Sequence, residues 1–289
     1  MFGLVKPLDN RDGIKSGNNS IPLWVSLMLA FILWFTACNP ENKPPIVTRA
    51  LPAPTKVPEN TIRLANGYWP PYNGSDLPHG GCDSWVIEEA FALQGIKVEY
   101  DYFPWVRSLS LSKNGDWDGT PAWADSPEFR KQYFISAEPT TIQEWVFFYR
   151  KDQPFIWQTL EDLAGKRVGL TTGYVYSDAF DGLKQKETVT FIESSSDAAN
   201  LEMLLAGRID VFAMERNVGH YLIQTLFDEE TQALLVASPN SFSQFNTHLL
   251  LSRAIPKNEE RMAAFNLGMQ QLRGSGRYAE IMQHCNPEE

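Results

Sequence analysis

Apolar residues recur along the chain with two spacings, one typical of strands and one typical of helices. Continuous or alternating apolar runs at 61–66, 144–150 and 248–252 predict strands that are buried in a sheet. At 84–94 and 259–272 the apolar residues are spaced three and four apart, which predicts helices with one buried side. Strands that alternate with helices in this way predict an α/β protein.

Two segments in the second half of the chain share one design. LEDLAGKRVGLTTG, from residue 160, and LLAGRIDVFAME, from residue 204, each have a Gly-Lys-Arg or Gly-Arg turn followed by an apolar run. A preceding helix and a short turn before such a run predict a buried strand. Because ligands bind beyond the carboxyl ends of strands in open α/β sheets, the polar residues after each run are candidate binding residues.

In this order and spacing, the two segments resemble the second lobe of the family 3 solute-binding proteins, the periplasmic amino-acid receptors of ABC importers. The resemblance extends over residues 61–283. It implies a two-lobed periplasmic-binding-protein type II fold, with a mostly parallel, helix-flanked sheet in each lobe and two crossover strands between them. It also implies that residues 61–139 and 247–289 form lobe 1 and that residues 140–246 form lobe 2.

The start of the chain carries the features of an export signal. An uninterrupted apolar or neutral run at 21–37 ends at Cys38, and residues 35–38 resemble a lipobox in which Phe35 replaces the usual Leu. We therefore expect residues 1–37 to be a signal peptide and Cys38 to carry lipid. An uncleaved membrane anchor and a plain signal peptide are the alternatives, and all three place the body of the chain outside the cytoplasm.

Residues 38–60 are expected to connect Cys38 to the folded body. This segment contains six prolines and shows no amphipathic period, which favours a semi-extended tether over a packed element. The tether, the body and a lipidated Cys38 together suit a receptor anchored in the cell envelope.

Two further cysteines, Cys82 and Cys285, follow in the body of the chain. In an oxidising compartment they can pair as a disulfide, and otherwise they are two buried or unpaired thiols. The sequence does not fix their separation, so both alternatives stay open.

Charge and motif content narrow the function classes. The net charge is −10 with no basic run, which argues against nucleic acid as a partner. The four histidines are scattered without paired acids, and the chain has no Gly-x-Ser-x-Gly, P-loop or Gly-x-Gly-x-x-Gly motif. We therefore predict no metal, no cofactor and no catalytic residue. Nine tryptophans suit a ligand cleft, since each combines a flat apolar body with a polar tip.

Four aromatic residues are candidates for the ligand site. The resemblance places Trp69 in the loop that supplies an aromatic face to the ligand, and Tyr72 follows three residues later. Trp105 and Trp123 fall near the cleft-facing ends of predicted strands. The alternative is a proline-aromatic loop that packs only on itself.

The polar candidates follow the two strands of lobe 2. The resemblance implies that Glu215 accepts the α-ammonium of an amino acid, a charge-assisted hydrogen bond; the alternative is a solvated acid paired with Arg216. Thr171, Thr172 and Gly173 precede a helix predicted to begin near residues 176–178, whose N-terminus can bind a carboxylate. The alternative there is an ordinary helix cap.

The chain departs from the family pattern at Ser126-Pro127-Glu128-Phe129-Arg130. The family has Arg at the position of Phe129, where its guanidinium binds the ligand's α-carboxylate with two hydrogen bonds. Either the helix starts one residue late and Arg130 takes this role, or the carboxylate clamp is missing. In the second case the ligand has no α-carboxylate.

The expected function is that of an extracytoplasmic, monomeric receptor that binds a small polar solute, an amino acid or a derivative. It would deliver the solute to an ABC permease or a membrane sensor and would be held at the membrane by its lipid. One alternative is an enzyme on the same fold that resembles cyclohexadienyl dehydratase, with Glu215 or Glu193 as general acid. The other is a ligand-free module that binds protein.

Overall fold

The computed structural model describes residues 60–174, 176–184 and 186–286. The predicted signal peptide, the lipidation site at Cys38 and the tether as far as residue 59 lie outside the described residues. Within those ranges no helix combines the length and apolarity needed to cross a bilayer.

One mixed sheet runs through the described part of the chain. Its strands are β1 (Thr61–Asn66), β2 (Lys97–Tyr102), β3 (Gly119–Ala124), β4 (Tyr133–Ile135), β5 (Thr141–Arg150), β6 (Arg167–Thr171), β7 (Thr190–Ser194), β8 (Val211–Glu215), β9 (Leu235–Ala237) and β10 (Ser243–Ser252). The strand order is β2-β1-β3-β10-β5-β8-β6-β7, with β4 paired to β10 and β9 paired to β5.

The sheet has two parallel ends and an antiparallel centre. β1 is parallel to both β2 and β3, and β6 is parallel to both β7 and β8. The two ten-residue strands β5 and β10 are antiparallel to each other and connect the two ends. The chain thus passes from the first half of the sheet to the second along β5 and returns along β10. The lobe boundaries themselves stay a prediction.

Helices cover the faces of this sheet. They are α1 (Cys82–Ala92), α2 (Trp105–Asn114), α3 (Pro127–Gln132), α4 (Asp178–Leu183), α5 (Asp197–Leu205), α6 (Arg216–Leu226), α7 (Glu229–Gln232), α8 (Asn258–Gly274) and α9 (Arg277–Gln283). The helix expected before β6 is a 3-10 turn at Leu160–Leu163, closed by reciprocal hydrogen bonds between Thr159 and Asp162. Such reciprocal capping satisfies backbone donors that a short turn leaves free.

Burial on both faces explains why the strands read as continuous apolar runs. In β5, the four consecutive side chains from Trp145 to Phe148 are all buried, because helices and loops cover each face. In the first half, α1 packs closely against α8: a Cβ added to Gly268 would lie 2.0 Å from the Ala90 carbonyl oxygen. Glycine at this position allows the two helices to approach.

A disulfide joins the start of α1 to the segment that follows α9. Cys82 begins α1 and Cys285 follows α9, and their Cα atoms lie 5.8 Å apart, within the range that a disulfide spans. The Cys82 sulfur lies 3.3 Å from the carbonyl oxygen of Pro71. The bond therefore fixes the C-terminal helix beside the loop that follows β1.

Replacing both Cys82 and Cys285 by alanine should lower the free energy of unfolding by about 2–5 kcal/mol, the usual cost of losing a native disulfide. The two residues are 203 positions apart, so the unfolded chain gains the freedom of a long loop. Urea denaturation of the variant measures the loss, and the wild type under a reducing agent is the matched comparison. Equal unfolding midpoints with and without the disulfide would contradict this expectation.

Candidate functional site

The loop after β1 is a tight structure that holds two aromatic side chains. Trp69 N–H donates to the Asn73 carbonyl at 2.7 Å, and Asn73 N–H donates back to the Trp69 carbonyl at 3.1 Å. A Cβ added to Gly67 would lie 2.1 Å from the Trp105 indole. Glycine therefore lets the Trp105 ring pack flat against the start of the loop, where it supports the residues that follow.

The side chains of Trp69 and Tyr72 point from this loop to the second half of the sheet. Their rings stack with centroids 5.3 Å apart, and both are buried. The Tyr72 hydroxyl donates to Glu215 Oε1 at 2.9 Å and accepts from Asn217 Nδ2 at 2.9 Å. The structure thus brings together Trp69, Tyr72 and Glu215, three residues that the sequence nominated independently.

Glu215 ends β8 and also caps α6. Its Oε2 accepts from Val218 N–H at 2.8 Å, and its Oε1 accepts from Glu144 N–H at 3.3 Å as well as from Tyr72. Only 1% of the residue is exposed. Burial raises the pKa of this carboxyl to about 7, although its hydrogen bonds with Val218, Tyr72 and Glu144 act in the opposite direction.

The alternative of a solvated Glu215 paired with Arg216 is not what the structure shows. Arg216 Nε instead lies 3.3 Å from Glu144 Oε2, and a second guanidinium nitrogen donates to the Pro239 carbonyl. Arg216, the basic residue next to Glu215 in the sequence, is therefore paired with Glu144 instead of Glu215.

A second carboxyl group, that of Asp197, lies largely buried at the start of α5. Asp197 accepts from Thr171 Oγ1 and from the Tyr174 hydroxyl, each at 2.6 Å. Asn200 Nδ2 donates to Thr171 Oγ1 at 3.0 Å and fixes the threonine side chain. Burial is the largest cause that raises the pKa of Asp197 above its ordinary range.

The predicted residues Thr172 and Gly173 do not join this arrangement. Both are exposed, and the helix that follows, α4, begins at Asp178, within the predicted range of 176–178. The N–H of Thr171 donates to the Tyr176 hydroxyl at 2.9 Å. The binding of a carboxylate by Thr172 and Gly173 stays a prediction.

Trp145 of β5 connects the tyrosines that follow β6 with Glu215 of β8. Its ring centroid lies 5.8 Å from that of Tyr174 and 5.3 Å from that of Tyr176, both edge to face. In the β5–β8 ladder Trp145 is the register partner of Glu215. Trp69, Tyr72, Trp145, Tyr174 and Tyr176 are called the aromatic cluster below.

Trp105 and Trp123 lie behind this cluster, in the first half of the sheet. Their rings meet edge to face with centroids 5.9 Å apart, and Trp123 meets Phe129 in the same way at 5.6 Å. Trp123 Nε1 donates to Thr120 Oγ1 at 3.0 Å. These contacts support the site, while a direct contact with a ligand stays a prediction.

The structure places Arg130 apart from the other candidates. Helix α3 begins at Pro127 and Ser126 Oγ accepts from Phe129 N–H, so the alternative of a helix that starts one residue late is wrong. Phe129 is buried against Trp123. The Arg130 guanidinium is bound to Asp125 by two hydrogen bonds, and 66% of its side chain is exposed.

Comparisons with known proteins support the fold described above and identify the family. A sequence model of the bacterial extracellular solute-binding proteins, family 3, matches residues 63–286. The chain belongs to this family. No curated protein matches it in sequence.

Several solved structures are similar to this family 3 protein. A histidine kinase sensor domain with similarity to periplasmic binding proteins is 24% identical with a TM-score of 0.58, covering 77% of this chain and 94% of that one. An ancestral arginine-binding protein bound to arginine is 20% identical with a TM-score of 0.60, covering 78% and 97%. An amino acid ABC transporter substrate-binding protein, AbpA from Streptococcus pneumoniae, bound to L-arginine, is 16% identical with a TM-score of 0.59, covering 78% and 94%. These likenesses establish the periplasmic-binding-protein type II fold.

Three candidate site residues of this family 3 protein were not nominated from the sequence: Trp145, Tyr176 and Asp197. Tyr174 and Asn217 belong to the polar segments that follow β6 and β8, which the rule that ligands bind beyond strand ends had marked as a group. Trp145 lies inside an unbroken apolar run, where no alternation marks the side that faces the site.

Replacing Glu215 by Gln should remove one pH-dependent component of stability. The raised pKa means that the folded state holds this proton more tightly, so its stabilising contribution is complete below about pH 4.5 and is lost as the pH rises through 7. The free energy of unfolding of the wild type should therefore fall by about 3 kcal/mol more than that of E215Q between pH 4.5 and 8. Asp83, whose pKa burial raises to about 6, is present in both proteins and does not affect the difference.

Denaturation curves at a series of pH values measure this difference. E202Q, a change at an exposed glutamate on α5, is the charge-matched control. Parallel profiles for the wild type and E215Q would show that Glu215 does not titrate in this range.

Proposed function

We propose that this protein is an extracytoplasmic receptor that binds a small polar solute, an amino acid or a close relative, between the two halves of its sheet. The observation that carries the proposal is the convergence of Trp69 and Tyr72 from the first half with Glu215 and Asp197 from the second. Family membership supports a binding role, and similar structures that hold arginine support an amino acid or a relative of one.

The connections between the halves suit a receptor that closes on its ligand. β5 and β10 run side by side between the halves, and Thr141 and Thr247 bond to each other where these strands meet. Domain closure about a few connecting residues is the common motion of periplasmic binding proteins. In this proposal the Tyr72–Glu215 hydrogen bond belongs to the closed form.

The aromatic rings and the buried acids would recognise different parts of the ligand. The stacked rings of Trp69 and Tyr72 offer an apolar face to a side chain, while Glu215 and Asp197 offer acceptors to an ammonium group.

The proposed route after binding is delivery to an ABC permease or to a membrane-bound sensor. The two kinds of partner correspond to two of the similar structures, an ABC transporter substrate-binding protein and a histidine kinase sensor domain. Lipidation at Cys38, with residues 38–60 as a tether, would keep the receptor at the membrane. The two lobes would be residues 61–139 with 247–289, and residues 140–246.

A thermal-shift screen of the folded body against amino acids, polyamines and prephenate tests the proposal. A ligand present at 100 times its Kd stabilises a protein by about 2.7 kcal/mol, which corresponds to a rise in Tm of about 5–11 °C for a chain of this size. A receptor should show such a rise without turnover. Consumption of prephenate would indicate an enzyme instead, and no response to any compound would favour a module that binds protein.

Replacing Trp69 by Ala should weaken binding of the stabilising ligand at least tenfold, because the stacked face next to Tyr72 is lost. Isothermal titration calorimetry measures the change. The matched control is Trp117→Ala, since Trp117 packs against Phe103 and Arg63 at the edge of the sheet and donates to Asp101. Equal losses of affinity in the two variants would remove Trp69 from the site.

A further inference from the structure

The charges around the aromatic cluster are unbalanced. Glu215 and Asp197 are its two carboxyl groups, and among the described residues no Lys or Arg side chain forms an ion pair with either one. Each is bound instead by a tyrosine hydroxyl, from Tyr72 and Tyr174 respectively. A phenol donates a hydrogen bond but adds no positive charge, so neither acid is neutralised by its hydrogen-bond partner. The ammonium of Lys184 lies 5.5 Å from the centroid of the Tyr176 ring, and among the described residues it forms no ion pair with either acid.

The two arginines nearest in sequence to site residues are already neutralised. Arg216 is paired with Glu144, and Arg130 is paired at the surface with Asp125. Phe129, which precedes Arg130, is buried and packs its apolar ring against Trp123. A ligand carboxylate placed among these groups would meet acids and aromatic faces rather than a guanidinium.

Two buried indole N–H groups in the cluster have no hydrogen-bond partner. They belong to Trp69, which is 4% exposed, and Trp145, which is 1% exposed. Burial raises the pKa of the Tyr174 hydroxyl, and the Trp69 N–H, which is directed towards that hydroxyl, acts in the opposite direction without reaching hydrogen-bond geometry. Buried donors of this kind are uncommon in native proteins, because an unmade hydrogen bond is costly. They call for an acceptor atom from a bound molecule.

From these observations we infer that the natural ligand is a small organic ammonium ion that carries a neutral oxygen and no carboxylate, such as an amino alcohol. The inference rests on the proposed receptor function and specifies its ligand class. The ammonium is held by Asp197 and Glu215 and lies against the faces of Trp69, Tyr72 and Tyr174, an arrangement that favours cations. The neutral oxygen accepts from the unpartnered indole N–H groups.

Matched pairs of ligands that differ only in the carboxylate test this inference. The pairs are L-tyrosinol with L-tyrosine, L-leucinol with L-leucine, and choline with glycine betaine. The Kd values are measured by calorimetry with the folded wild-type protein at pH 8, where the Glu215 carboxyl is charged. In at least one pair the cation without a carboxylate should bind at least tenfold more tightly than its partner.

The outcomes separate the inference from the proposed function. If every pair that binds favours the form with the carboxylate, or shows no preference, the inference is overturned while the receptor function stands. If none of these compounds and none of the compounds in the thermal-shift screen binds, the receptor proposal fails, and the inference fails with it.

A variant supplies an independent readout. Asp197→Asn keeps the shape and removes one negative charge; its amide oxygen can still accept from one of the two hydroxyls of Tyr174 and Thr171, and its amide nitrogen donates to the other. The affinity of the variant for the cation should fall at least fivefold. The ratio between its affinities for the cation and for the matched carboxylate should become smaller than in the wild type. Asp228→Asn, at the cap of α7, is the control that should keep wild-type affinities. An unchanged preference in Asp197→Asn would overturn the placement of the ammonium beside this acid.

Discussion

The site depends on one buried carboxyl group that is hydrogen-bonded to three parts of the chain. Glu215 receives hydrogen bonds from Tyr72 in the loop after β1, from the backbone of Glu144 in β5 and from Val218 in α6. A carboxyl group that is buried away from water is stable only if hydrogen-bond donors of the protein replace the water molecules that would solvate it. The same contacts that satisfy Glu215 therefore hold the first half of the sheet, the crossover strand and the second half in one arrangement.

This arrangement connects stability to binding. The raised pKa of Glu215 shows that burial penalises its charge more than its hydrogen bonds compensate. A cation beside the carboxylate would reverse that penalty, and the receptor would gain from its ligand the positive charge that its own side chains do not provide. The disulfide between Cys82 and Cys285 contributes by fixing the backbone next to the loop that carries Tyr72.

The sequence predicted the strands and helices with strong periodicity and located several of the site residues. β1, α8 and the parts of β5 and β10 at 144–150 and 248–252 follow from apolar patterns alone, since these reflect which side chains a packed sheet or helix must bury. The contact between Tyr72 and Glu215 joins residues 143 positions apart, and no local pattern encodes such a pairing.

Arg130 and Trp145 illustrate two other limits of sequence reasoning. One residue along a helix turns a side chain by about 100°, so the order Phe129-Arg130 was compatible with two helix starts. Only the hydrogen bond from Phe129 N–H to Ser126 decides between them. Trp145 is hidden in a strand that is buried on both faces, where every position has the same apolar character.

The most direct test of a buried acid that receives an ammonium ion is the pKa of Glu215 itself, with and without ligand. Carbon-13 NMR of the side-chain carboxyl, assigned by comparison with E215Q, measures this value in the free protein. A second titration is made with the tightest-binding compound among L-tyrosinol, L-leucinol and choline. We expect a pKa near 7 in the free protein and a fall of more than one unit when the cation is bound. A pKa that is the same in both states would contradict it.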